Sequence, residues 1–187
     1  MIFILTGCFA FAFFFFFDLN NYFSLNKKLN FFFAIGVVLL CFSTVCILFS
    51  SHLQFNLPLS LRLLFGVLSA VSLLLIIYTL FFALPFRKTY CRSEDIDKVI
   101  DTGMYALCRH PGVIWFFFFY FFLWMASGKT IMLRAAVIWT IMDIIYVYVQ
   151  DRWIFPKTLN GYELYKERAP FLIPNLSSIR KCISALK

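Results

Sequence analysis

A short polar segment, Arg109-His110-Pro111, stands directly before the apolar run that begins at Gly112. Placing an arginine and a histidine at the mouth of an apolar helix costs desolvation free energy that packing alone gives no reason to accept. Proline is tolerated in a first helical turn, because its missing N–H would have no partner there, so Pro111 predicts a helix start. The two donor side chains then either bind a ligand or merely contact lipid headgroups and cap the helix.

A second candidate is the apolar stretch 131–149, which contains one acid, Asp143. An acid at the centre of a bilayer-spanning helix costs roughly 2.5–3.5 kcal/mol, so Asp143 is expected to face protein or trapped water. Tyr146 and Gln150 follow at helical spacing and complete one polar stripe with it, and Asp151 comes next in the chain. The stripe either hydrogen-bonds neighbouring helices or takes part in chemistry.

The tail between residues 161 and 174 contains two tyrosines three residues apart, Tyr162 and Tyr165, and then an apolar stretch bounded by prolines. Taken alone, this pattern predicts an amphipathic segment that lies on the bilayer or re-enters it.

Composition predicts an integral membrane protein, because 63% of the 187 residues are hydrophobic and only 14% are charged. The six cysteines and two histidines show no familiar metal-ligand spacing, so neither a metal site nor a disulfide framework is expected. The net charge is +8, and the basic residues lie beside apolar spans. This position favours membrane lipids with anionic headgroups, and not nucleic acid, as partners.

The hydrophobic pattern predicts an all-α, polytopic fold with about five transmembrane helices. The predicted spans cover residues 2–17, 31–50, 61–86, 112–126 and 131–149. A short amphipathic cytoplasmic helix is expected within residues 89–103, and a C-terminal cytoplasmic tail follows Gln150. We divide the chain into a three-helix membrane region, 1–86, and a site-bearing region of loop, helical hairpin and tail, 87–187, within one integrated domain.

The distribution of basic residues predicts the orientation. If the five spans alternate, 14 of the 17 lysines and arginines fall on one side, and only Arg62, Lys129 and Arg134 fall on the other. Cytoplasmic loops of membrane proteins carry the excess of Lys and Arg. The N-terminus is therefore expected outside, and the Arg109-His110 segment and the tail are expected to face the cytosol.

Taken together, these pieces resemble the isoprenylcysteine carboxyl methyltransferase family, with its bacterial and phospholipid N-methyltransferase relatives. The resemblance covers about residues 85–175 and rests on Gly-x-Tyr-x-x-x-Arg-His-Pro, the hairpin, an acid at the exit of the last span, and Gly-Tyr-x-x-Tyr followed by Pro-x-x-x-Pro. It implies an S-adenosylmethionine-dependent methyltransferase of a bacterial cytoplasmic membrane, acting on a lipophilic or lipid-linked acceptor from the cytoplasmic side. The cofactor-binding residues that it implies are Tyr105, Arg109, His110, Pro111, Gln150, Asp151, Tyr162 and Tyr165. Because one cofactor would be held by all of them, Arg109 and His110 are expected within contact distance of Asp151 and Tyr162.

The chemistry of S-adenosylmethionine suits these residue types. An arginine can hold its carboxylate, an acid its ammonium group, and aromatic faces its adenine or sulfonium. Methylation of a carboxylate destroys charge and is favoured in a site low in water, whereas a thiol or amine acceptor needs a base, for which Asp143, Asp151 and His110 are candidates. We therefore expect catalytic roles for Arg109, Asp143 and Asp151.

Four positions depart from the family pattern: Val113 replaces a tyrosine, Trp115 a glycine, and the pair Gln150-Asp151 two glutamates, so one carboxylate is missing and the other is one methylene shorter. These departures leave open a degenerate, non-catalytic membrane protein. A second alternative is an NADPH-dependent membrane reductase of similar architecture, for whose 2′-phosphate Arg109, Arg152 and Lys157 are available.

Overall fold

The computed structural model describes residues 1–23, 25–51, 55–82 and 102–185. Within these ranges the chain forms helices α1 (Ile2–Phe23), α2 (Phe31–Phe49), α3 (Leu59–Ile77), α4 (Met104–Leu107), α5 (Pro111–Ser127), α6 (Thr130–Val149), α7 (Phe155–Thr158), α8 (Tyr162–Arg168) and α9 (Leu176–Ala185). A 3-10 turn, Lys27–Asn30, leads into α2. π-Helical turns extend α3 over Tyr78–Phe82 and α6 over Gln150–Ile154.

The prediction of an all-α, multi-pass membrane protein is confirmed. Four helices are long and apolar enough to span a membrane, namely Ile2–Phe23, Lys28–Phe49, Leu59–Phe82 and Thr130–Thr158. The fifth apolar helix, α5, is shorter, with 17 residues. Such a helix rises about 26 Å, slightly less than the ~30 Å hydrocarbon core of a bilayer.

One predicted boundary is wrong, and a second helix continues beyond its predicted end as a π-helical turn, because polar side chains that were expected in loops are buried and hydrogen-bonded within helical turns. The first helix continues past residue 17 to Phe23, and it carries buried Asp18 and Asn20 in its last turns. The last long helix continues past Val149 to Thr158 through its π-helical turn. The predicted surface helix within 89–103 and the predicted end of the third span at residue 86 lie outside the described residues.

The helices pack side by side in the order α2, α1, α6, α5, α3. The hairpin of α1 and α2 therefore lies against α6, and α3 lies along α5. Both halves of the chain contribute to one set of helix contacts, because α1 and α3 come from residues 1–86 whereas α5 and α6 come from residues 87–187.

The contact between α1 and α6 is close because of a glycine. Trp139 is fully buried, and its Nε1–H donates a hydrogen bond of 3.0 Å to the carbonyl oxygen of Ile4. A Cβ atom on Gly7 would lie only 2.2 Å from Cζ2 of Trp139. The indole ring thus occupies the space that any larger residue at position 7 would need.

The loop after α2 contacts the loop after α5. The backbone N–H of Phe55 donates to the carbonyl oxygen of Gly128 at 2.9 Å. The ammonium of Lys129 donates to the carbonyl oxygens of Leu48 and Ser50. Gly128 has a positive φ of 67°, which favours glycine. The loops after α2 and α5 therefore share one end, as five alternating spans require.

Candidate functional site

Arg109 and His110 occupy the short link between α4 and α5. Pro111 is the first residue of α5, as predicted from the sequence. The backbone N–H of Arg109 donates a hydrogen bond of 2.9 Å to the carbonyl oxygen of Pro170, and the preceding Cys108 is fully buried. The link is therefore attached to the tail of the chain on one side and to the bundle on the other.

The carboxylate of Asp151 is the centre of a polar cluster at this end of the bundle. Nη1 of Arg109 lies 2.9 Å from Oδ1 and 3.0 Å from Oδ2, and Nε2 of His110 lies 3.3 Å from Oδ1. The hydroxyl of Tyr162 donates to Oδ1 at 2.6 Å. The expectation that Arg109 and His110 meet Asp151 and Tyr162 is confirmed, and we call these four residues the Asp151 cluster.

A π-helical turn presents Asp151 to its partners. The turn Gln150–Ile154 buries both Gln150 and Asp151. Because a π-helical turn holds more residues than an α-helical one, it changes the direction in which the following side chains point, and such turns are frequent at functional sites. The end of α6 thereby directs one carboxylate toward the start of α5 and the returning tail.

Tyr105 and Tyr165 hold the surrounding segments together through their hydroxyl groups. The hydroxyl of Tyr165 donates to the carbonyl oxygen of Tyr105 at 2.7 Å, which joins α8 to α4. The hydroxyl of Tyr105 donates to the carbonyl oxygen of Thr79 at 3.0 Å, which joins α4 to the π-helical turn after α3. Their predicted contact with a cofactor stays a prediction.

Two phenylalanines that sequence reasoning did not identify enclose the cluster. The ring of Phe155 lies nearly parallel to the imidazole of His110, with centroids 5.9 Å apart and planes inclined by 12°. Phe171 packs edge-on against the same imidazole at 5.2 Å, and the guanidinium carbon of Arg109 lies 5.6 Å from its ring centroid. Aromatic faces thus lie beside both basic side chains.

Burial decides the protonation of the donors around Asp151. Burial lowers the pKa of His110, and the neighbouring Asp151 carboxylate opposes that effect only in part. Burial, followed by the hydrogen bond to Asp151, raises the pKa of Tyr162. At neutral pH, Tyr162 therefore remains a donor and the imidazole is neutral, so the Arg109–Asp151 pair carries the charges of the cluster.

The thiol of Cys108 stays protonated. Burial raises its pKa to about 11, although a hydrogen bond from the backbone of His110 opposes that shift. Since the thiolate is the nucleophilic form of cysteine, Cys108 acts as a small apolar side chain beside the cluster.

The guanidinium of Arg109 keeps one donor for a ligand. Its Nε is buried and has no hydrogen-bond partner among the residues that the structure describes. Buried polar atoms are almost always paired, so this N–H is available to a further acceptor. An arginine with an open donor beside an acid and aromatic rings has the groups required to bind a carboxylate.

Gln150 points away from the Asp151 cluster and toward α1. Its Nε2 donates to Oδ2 of Asp18 at 2.8 Å and to the hydroxyl of Tyr146 at 2.9 Å. This arrangement joins the end of the first helix to the end of the last long helix. Asp18 is an acid that the sequence reasoning missed, although its position at the end of an apolar run was a signal that could have found it.

Asp143 is not brought into the Asp151 cluster. It lies eight positions earlier on the same helix, about 12 Å along the axis. The residue is half-buried, and its carboxyl group has no hydrogen bond within the described parts of the chain. A direct catalytic role of Asp143 at the cluster therefore has no geometric support.

The site thus joins three parts of the chain: the link before α5, the exit of α6, and the tail. Lys157 and Tyr22 add a further contact between the segment after α6 and α1, with the ammonium of Lys157 5.2 Å from the ring centroid of Tyr22.

Comparison with known proteins adds no assignment, since no family model, no curated protein and no solved structure matches this chain.

Proposed function

We propose that this protein is an S-adenosylmethionine-dependent methyltransferase that acts on a lipophilic acceptor in the membrane. The observation that carries the proposal is the buried Nε of Arg109, which lies beside the carboxylate of Asp151 and has no partner within the described ranges. S-Adenosylmethionine presents a carboxylate, an ammonium group, a sulfonium and an adenine ring. The cluster and the aromatic rings beside it offer a complementary group for each of them.

The residues of the site divide these contacts among themselves. Arg109 would donate from Nε to the carboxylate of the cofactor, and Asp151 would face the ammonium group. The rings of Phe155, Phe171 and Tyr162 would hold the sulfonium and the adenine by cation–π and stacking contacts. Bound there, the cofactor supplies an electrophilic methyl group. The aromatic rings also exclude water, which strengthens the electrostatic contacts of the site.

A lipophilic acceptor fits the position of the cluster. The Asp151 cluster lies at one end of a bundle whose four long helices have apolar, largely exposed surfaces. An acceptor that enters sideways from the bilayer would reach this end without leaving the apolar phase. A water-soluble acceptor would not need a site within an apolar helix bundle. A carboxylate acceptor would need no base. For a thiol or an amine, the candidate bases within the cluster are the neutral imidazole of His110 and the carboxylate of Asp151.

Ligand-dependent stabilisation tests the proposal. We expect S-adenosylmethionine to raise the unfolding temperature of the purified protein in detergent, because a ligand that binds only the folded state stabilises it by about 2.7 kcal/mol at a hundred times its Kd. Calorimetry then gives the affinity. A response to NADPH alone would favour a reductase, and a response to neither would favour a non-catalytic membrane protein.

The fate of a labelled methyl group identifies the class of the acceptor. Membranes that contain the protein would be supplied with methyl-labelled S-adenosylmethionine, and the label would be sought separately in lipid extracts and in water-soluble products. The proposal expects label in the lipid fraction, and less of it with the variant Arg109→Ala. Label in water-soluble products alone would contradict the lipophilic acceptor while leaving the cofactor assignment intact.

A further inference from the structure

The C-terminal helix α9 has two exposed faces of different chemistry. Leu176, Ile179 and Ile183 follow one another at helical spacing, and they are 76%, 38% and 55% exposed. Ser178 and Cys182, on another side of the helix, are buried. Three large apolar side chains therefore form a stripe that the described parts of the chain leave partly exposed, and a contiguous exposed apolar surface marks an interaction site.

One basic residue borders this stripe, and a second lies on the polar side of the helix. With 100° per residue, Arg180 lies about 40° from Leu176 around the helix axis, and Lys181 lies about 140° from it. Both side chains are exposed, as are Ser177 and Ser184 on the same polar side. An apolar stripe next to a polar face that carries exposed basic residues is the pattern of a helix that lies in the plane of a membrane surface.

The position of α9 places this pattern at the membrane boundary. The helix packs against α4, and α4 leads through the Cys108–His110 link directly into the apolar helix α5. Ile173, just before α9, is 84% exposed and adds to the apolar surface. The occupant that fits is the bilayer that α5 enters, since only three residues join α4 to the start of α5.

We propose that α9 is an in-plane membrane helix that binds anionic lipid in the leaflet on the side of the Asp151 cluster. Leu176, Ile179 and Ile183 enter the boundary between headgroups and acyl chains, and Arg180 and Lys181 contact headgroup phosphates. Each basic residue near an anionic surface contributes about 1 kcal/mol, so two of them make the helix selective for anionic over zwitterionic lipid. This inference does not depend on the proposed methyl transfer.

The binding has a structural consequence for the site. Because α9 packs against α4, lipid that holds α9 at the surface also supports the segment that carries Tyr105 and leads to Arg109. The surface helix thus connects the lipid composition of the leaflet to the position of the cluster.

Photo-crosslinking of the full-length protein tests the proposal. The protein would be reconstituted in nanodiscs of equal amounts of phosphatidylcholine and phosphatidylglycerol, with p-benzoylphenylalanine in place of Ile183 or, as a matched control, in place of Ser184. We expect lipid adducts at position 183, enriched in phosphatidylglycerol, and few at position 184. Equal yields at both positions, or adducts between two copies of the protein, would overturn the proposal.

Charge removal tests the lipid selectivity separately. In the doubly substituted protein Arg180→Gln, Lys181→Gln, the preference for phosphatidylglycerol at position 183 should fall by roughly fivefold for each charge removed. Arg134→Gln removes an exposed charge at the opposite end of the bundle and should leave the preference unchanged. If the doubly substituted protein kept the full preference, the assigned role of Arg180 and Lys181 would be wrong.

Discussion

The hydroxyl of Tyr162 lies 2.6 Å from Oδ1 of Asp151, so the first residue of α8 is bonded to the exit of the last long helix. The tail is held a second time where Pro170 accepts the backbone N–H of Arg109. The tail is therefore attached to the site by two hydrogen bonds and forms part of it. The Asp151 carboxylate is shared among three donors, while the guanidinium of Arg109 retains its Nε for a further acceptor.

The variant Tyr162→Phe should lower the free energy of unfolding by about 1.5–3 kcal/mol, because it removes a hydrogen bond to a carboxylate. Thermal unfolding in detergent measures the change. Tyr148→Phe is the matched control, since the Tyr148 side chain is 52% exposed. Equal effects of the two substitutions would show that the hydroxyl of Tyr162 has no special role.

The variant Arg109→Ala should weaken binding of S-adenosylmethionine by several-fold to about a hundredfold, because it removes a charged hydrogen bond worth roughly 1.5–3 kcal/mol. Calorimetry gives the two dissociation constants. Arg152→Ala is the control, because Arg152 adjoins Asp151 in the chain but is exposed.

Folding of the Arg109 variant must be checked independently, since Arg109 also pairs with Asp151. Arg109→Lys keeps a positive charge but loses the planar fork, so it should unfold near the wild-type temperature and still bind the cofactor weakly. Unchanged affinity in both Arg109 variants would remove Arg109 from the cofactor site.

The stability of the protein should depend on pH through His110. Above pH ~6.5 the imidazole is neutral in both states, so His110 adds no pH dependence there. Below that value the unfolded chain takes up a proton that the folded chain resists, because burial lowers the pKa of His110 in the fold. The free energy of unfolding should therefore fall as the pH falls below about 6.5.

Unfolding temperatures measured across the acidic range give this slope, and His110→Gln should reduce it. The chain has one other histidine, His52, and the variant His52→Gln is the control for the loss of a histidine elsewhere in the chain. A slope that is the same in wild type and in His110→Gln would contradict the burial of an uncharged imidazole.

Asp18 and Gln150 should be energetically coupled, because the Gln150 amide donates to the Asp18 carboxylate at 2.8 Å. In a double-mutant cycle, the effects of Asp18→Ala and Gln150→Ala should differ from additivity by roughly 0.5–3 kcal/mol, the usual range for residues in contact. Ser69→Ala is the control partner, since its hydroxyl bonds the carbonyl oxygen of Phe119 elsewhere in the bundle. Additive effects of Asp18 and Gln150 would show that α1 and α6 are not held together here.

The variant Gly7→Ala should destabilise the bundle by about 1–3 kcal/mol, the usual cost of overpacking, because the new methyl group would overlap the buried Trp139 ring. Gly66→Ala is the matched control, since a Cβ there meets nothing within 4 Å. Unfolding of both variants in detergent compares them directly. A neutral Gly7→Ala would mean that α1 and α6 can separate at no cost.

The sequence by itself determined the class of the fold and the start of the site. Long apolar runs must satisfy their backbone polar groups within helices, so composition and length predict the membrane helices. Pro111 marked the first residue of α5 through local geometry, since its ring fits a first helical turn. The grouping of Arg109 and His110 with Asp151 and Tyr162 was predicted because a cofactor held by all four requires the start of α5, the exit of α6 and the returning tail to meet.

Only the tertiary structure decided which polar residues share a partner. Asp18 and Gln150 are 132 positions apart, and no local pattern records a hydrogen bond over that separation. The enclosure of His110 by Phe155 and Phe171 depends on how the tail returns, and one chain with many phenylalanines gives no reason to choose these two. Asp143 and Asp151 lie on the same helix, about 12 Å apart along its axis. Helical periodicity fixes the face on which a residue lies but not the neighbouring helix that it contacts, so only the tertiary structure shows that Asp143 lies outside the Asp151 cluster.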